Sequence, residues 1–105
     1  MSARAAFDNT TAAQPALETR YRVPVAYMHG GVQRYLDHGI PPGSFLKALF
    51  SNDLKEAFHK ADDQNIALML EWVRFMFNDM PSNSQGSPEA VEAWIAHGGL
   101  SGEEA

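Results

Sequence analysis

Between His38 and Asp62 the chain reads HGIPPGSFLKALFSNDLKEAFHKAD, a run dense in signals that stop or start a helix. Gly39 is a left-handed C-cap signal, and Pro41-Pro42 forbids continuation, because proline lacks an amide hydrogen and its ring clashes with the preceding turn. Ser44 then offers an N-cap for Phe45, Leu46, Leu49 and Phe50. Asn52 or Asp53 offers another, with Glu56 three residues after Asp53 as a capping box. Leu46, Phe50, Leu54 and Phe58 recur every four residues, which fits one helix over 44–61 or two with a kink near Ser51-Asn52. Two capping signals favour the kinked form. A chain punctuated this closely folds into short helices.

The flanking sequence extends the pattern. A first helix is expected from Pro24, suited to a first helical position, to His38, with Met28, Val32, Tyr35 and Leu36 on one face. Gly30 and Gly31 weaken it by about 1 kcal/mol each relative to Ala. A third helix, capped by Asp62 or Asp63, runs to about Asp79 before Pro81. Its Ile66, Leu70, Val73 and Phe77 make one stripe, Met69, Trp72 and Met76 a second, and Leu68 and Phe75 point away from the first. A helix apolar on nearly all sides is central to its fold or shared with a partner. Ser87 caps a last helix that begins at Pro88, packs Val91, Trp94 and Ile95, and stops at Gly98-Gly99. Strand-like alternation is absent. The expected fold is all-α, a compact bundle of four to five short helices over residues 21–100. Residues 1–20, MSARAAFDNTTAAQPALETR, lack sustained periodicity and are expected to be a mobile tail, as is SGEEA at 101–105.

At 105 residues the chain is one domain, with a core small enough that oligomerisation would help it. Its 8 Lys and Arg against 13 Asp and Glu give a net charge of -5, which argues against general nucleic-acid or membrane-surface binding. With no cysteine there is no disulfide framework and no thiolate chemistry. No long apolar run or signal peptide is legible, so the host-cell cytoplasm is the expected location.

One candidate ligand site emerges. Free amide hydrogens at a helix start favour phosphate or carboxylate. Ser44 follows the rigid Pro41-Pro42-Gly43 turn, and Lys47 lies in the first helical turn. Arg22, Arg34 and Lys55 are candidates to complete an anion site, Tyr35 offers a stacking surface, and Asn52 a further polar contact. The same Ser44 and Lys47 also read as a plain cap and a solvated charge. The spacing of a P-loop is absent. His29, His38, His59 and His97 lack the spacing of a helical zinc site, and His38 and His97 suit the negative ends of helices. Asp53, Asp62 and Asp63 are explained by capping, Glu89 and Glu92 suit the start of the last helix, no carboxylate pair sits isolated in an apolar setting, and no nucleophile elbow occurs. No catalytic role, cofactor or metal is assigned. Leu68, Trp72, Phe75 and Met76 are the candidate interface of a homo-oligomer, since Met and aromatics suit adaptable contacts.

The pieces RYLDHGIPPGSFL, NDLKEAF and GSPEAVEAW resemble a group of small phage and prophage proteins of unknown function, over about Val23 to Gly99. The resemblance implies no catalytic residue. It implies a context, in which small acidic phage proteins blunt host defence. Two mechanisms follow: sequestering a small anionic, nucleotide-type immune signal, or binding and blocking a host defence protein.

Overall fold

The structure, a computed structural model, describes residues 21–102; the expected tail at 1–20 lies outside them, as do residues 103–105. The described chain is all-α. A 3₁₀ turn at Ala26–Met28 leads into α1 (His29–His38), followed by α2 (Ser44–Phe50), α3 (Leu54–Lys60), α4 (Asp63–Ala67) and α5 (Met69–Asn78). A second 3₁₀ turn at Ser82–Ser84 leads to α6 (Pro88–His97) and α7 (Gly99–Gly102).

Most of the helix punctuation behaves as the residues require. Gly39 ends α1 in the left-handed region at φ 69°, and Gly98 ends α6 at φ 89°. Asp53 caps α3, its carboxylate accepting from the Glu56 amide at 3.2 Å, and Asp62 caps α4 through the Asn65 amide at 2.8 Å. Ser87 caps α6, its hydroxyl oxygen accepting from the Ala90 amide, and Pro88 opens that helix. The kink separates α2 from α3, and Asn52 absorbs it at φ 66°, a conformation that asparagine tolerates better than most residues.

Four expectations are corrected. Pro24 lies before the first helix, because the chain passes through a bend and the 3₁₀ turn before α1 begins at His29. The third helix is two helices, broken at Leu68, where φ −109° and ψ 23° leave helical geometry. Gly99 does not end the chain's helical structure, and Ser101 and Gly102 lie in α7 rather than in a tail. Ser44 is the first residue of α2 and not its cap; Gly43 holds the cap position with no side-chain hydrogen bond.

The core joins α1, α2, α5 and α6. Fully buried Tyr35 stacks on Phe50 with ring centroids 5.3 Å apart. Its hydroxyl donates to the Ser84 carbonyl at 2.7 Å, and its own carbonyl accepts the Trp94 indole N–H at 2.9 Å. Burial pushes the Tyr35 phenol well above its ordinary range, so it remains a donor. Trp72, also fully buried, packs edge-on against Phe45 and Phe75 and donates to Asn65 Oδ1 at 3.0 Å. Where the chain enters the domain, the Tyr21 hydroxyl donates to the Asp37 carboxylate at 2.5 Å.

At the C-terminal end, α7 lies against the end of α1, backbone on backbone. A Cβ at Gly99 would sit 2.6 Å from the Gly39 nitrogen and 2.7 Å from the Leu36 oxygen, and Gly99 has φ +67°. Gly31 is different: a Cβ there would meet Leu46 Cδ1 at an ordinary 3.7 Å. The two positions give opposite predictions in thermal melts. Gly99→Ala should lower stability by about 2–4 kcal/mol through overpacking and a positive φ. Gly31→Ala should raise it by about 0.5–1 kcal/mol through helix propensity alone.

Candidate functional site

The proposed anion site does not come together. Ser44 and Lys47 are exposed and share a shallow depression, but the Asp53 and Glu56 side chains line it too. Two carboxylates against one ammonium make the depression a poor host for phosphate. Asn52 lines a different groove. Tyr35 cannot stack on a ligand, because both its ring and its hydroxyl are engaged in the core. Arg34 is exposed on α1 with its guanidinium folded back over Gly30. Arg22 pairs with Asp79 at 3.3 Å, and Lys55 is exposed on α3.

The candidate interface is also corrected. Trp72 is fully buried and Phe75 is 4% exposed, both inside the domain's own core, while Leu68 and Met76 are half-buried against it. The other stripe faces water: Ile66, Leu70, Val73 and Phe77 are exposed, Phe77 at 83%. Both stripes are apolar, so periodicity alone does not choose between them. The choice is made by Trp72, whose indole N–H needs an acceptor when buried. Asn65, two helical turns earlier and 2% exposed, supplies it. An asparagine in register with Met69, Trp72 and Met76 was the legible signal for which stripe turns inward.

On α3, Leu54 and Phe58 lie one turn apart and are exposed as well. A groove of about 280 Å³ connects the two helices, with Leu54 and Ala57 on one wall and Val73, Met76 and Phe77 on the other. Asn52, Asp53 and the loop at Gln85-Gly86 line it too. That loop is fixed by the Gly86 amide donating to the Phe50 carbonyl at 2.7 Å and by Gln85 Nε2 donating to the Met76 carbonyl at 3.5 Å. The face thus runs from Leu54 and Phe58 across to Ile66, Leu70, Val73 and Phe77. It offers apolar contact in quantity and little polar chemistry.

Elsewhere several polar groups serve the fold, while His29 Nε2 is buried without a hydrogen-bond partner. Tyr27 donates to the Asp62 carboxylate, which this bond and the Asn65 amide hold below its ordinary carboxylate range. His38 Nδ1 lies 3.1 Å from Ser101 Oγ, and His97 Nδ1 lies 3.1 Å from the Gly99 carbonyl, both at the α1–α7 junction. Among the described residues, no group of three His, Cys, Asp or Glu side chains is placed to hold a metal ion, and no helix is long and apolar enough to cross a membrane.

Comparison of the chain with protein-family models, with curated proteins and with solved structures gives no match.

The caps make a direct test of the Ser44 reading. Ser87→Ala should cost about 1 kcal/mol, because an amide loses its acceptor. Ser44→Ala should stay within about 0.5 kcal/mol, as an exposed first-turn substitution does. Chemical denaturation of the two variants reads the difference.

Proposed function

We propose that this chain is a non-enzymatic binding protein that acts by covering a surface of another protein, as a phage accessory factor directed against a host defence protein. The observation that supports the reading is the exposed apolar face of Leu54, Phe58, Ile66, Leu70, Val73 and Phe77. Full burial of such side chains is worth roughly 1.5–3 kcal/mol each, and only an apolar surface opposite them realises that gain. A large exposed apolar face is the ordinary mark of a protein contact. The cytoplasm of an infected cell is the setting this reading implies.

Sequestration of an anionic nucleotide is the weaker reading. It needs Lys47 free of competing carboxylates and an aromatic surface open to a base, and this site has Asp53 and Glu56 beside Lys47 and a buried Tyr35.

The two are separated by phage plating on a host that carries a defence system the chain overcomes. Leu70→Asp with Phe77→Asp should reduce the protective effect at least about tenfold with the melting temperature nearly unchanged, since both side chains are already in water. Lys47→Glu should leave protection intact. The reverse pattern would restore the nucleotide reading and overturn this one.

A further inference from the structure

We infer that in the free protein the apolar face on α3, α4 and α5 is covered by a second copy of this chain, in an isologous dimer. The inference rests on the reading of that face as a protein contact and adds that the partner protein must displace a second copy to reach it.

Area is the first argument. The exposures of Leu54, Phe58, Ile66, Leu70, Val73 and Phe77 correspond to roughly 600 Å² of apolar surface, the upper end of what a monomer of ordinary solubility shows. Paired with itself, such a face buries about 1,200 Å² in total before any rim atoms are counted, which reaches the range of specific interfaces at its lower edge. That size fits a weak, exchangeable dimer rather than an obligate one.

Charge is the second. The chain carries a net charge of -5, so two copies repel at an arbitrary face. The helices that carry this face are mixed instead. On α3, Lys60 lies 3.8 Å from Glu56, and on α5, Arg74 lies 3.4 Å from Glu71, with Lys55 an additional cation. Asp53, Asp62 and Asp63 add negative charge at the helix starts, the first two as caps. With both signs present on these helices, a two-fold contact can set opposite charges against each other. A two-fold axis also solves the geometry at once, because every apolar residue on one copy meets the same set on the other.

Sedimentation equilibrium of the full chain from roughly 1 μM to 300 μM spans the dissociation constants expected of such a contact. The mass should rise toward twice 11.6 kDa with concentration. Leu70→Glu should raise the dissociation constant at least about tenfold, because it places an unpaired charge in the contact. Phe77→Ala, which adds no charge and removes an exposed ring, should weaken the dimer with the fold intact. A monomer at every concentration would overturn the inference, whether the face stays bare or another segment of the same chain covers it. A dimer unchanged by both substitutions would overturn it by placing the contact elsewhere. A dimer that behaves as stated in a chain without protective effect on plating would leave this inference standing and sink only the proposed function.

Discussion

Tyr35 is the side chain on which this fold depends. Its ring stacks on Phe50 of α2, its hydroxyl holds the Ser84 carbonyl, and its own carbonyl receives the Trp94 indole of α6. One residue of α1 thus fixes three other parts of the chain. Each polar group it brings into the core is matched, so burial costs no unsatisfied donor or acceptor. Losing the hydroxyl would strand a buried carbonyl, which costs about 1–3 kcal/mol, and losing the ring would open a cavity as well. The loop that carries Ser84 continues to Gln85-Gly86, which lines the apolar groove. The core interaction and the surface groove thus share one loop.

A second polar contact decides what faces outward. Asn65 and Trp72 bind each other inside the domain, across the break at Leu68. With Trp72 held inward, Met69 and Phe75 follow it into the core, and Leu70, Val73 and Phe77 must point to water. No polar residue relieves that stripe. Six large apolar side chains of α3, α4 and α5 are left exposed in consequence, and this exposure is the observation behind the proposed protein contact.

The all-α class, the left-handed Gly39, the stop at Gly98, the kink near Ser51-Asn52, the Ser87 cap and, to within one residue, the caps at Asp53 and Asp62 are legible in the residues themselves, since each is a local signal with a local cause. What is lost is long-range. The Ser44 cap fails because Gly43 already satisfies the geometry of that position. The stacking role given to Tyr35 fails because aromatic residues on an amphipathic face look the same whether a ligand or a core receives them. Which stripe of α5 turns inward is hidden because two apolar stripes compete, and a hydrogen bond spanning seven residues settles the choice. The Gly39–Gly99 contact is invisible to any window, because it joins residues sixty apart through backbone alone.

The orientation of α5 and the covering of its outer face are tested together by carbene footprinting read by mass spectrometry, at low and at high protein concentration. At low concentration Leu70 and Phe77 should label strongly while Trp72 and Phe75, each two residues from one of them and five from the other, remain unlabelled. At high concentration the labelling of Leu70 and Phe77 should fall and that of the exposed Glu89 and Glu92 on α6 should stay constant. Equal labelling of Trp72 and Phe77 at low concentration would contradict the account at its root, because the outward face would then not be the one described.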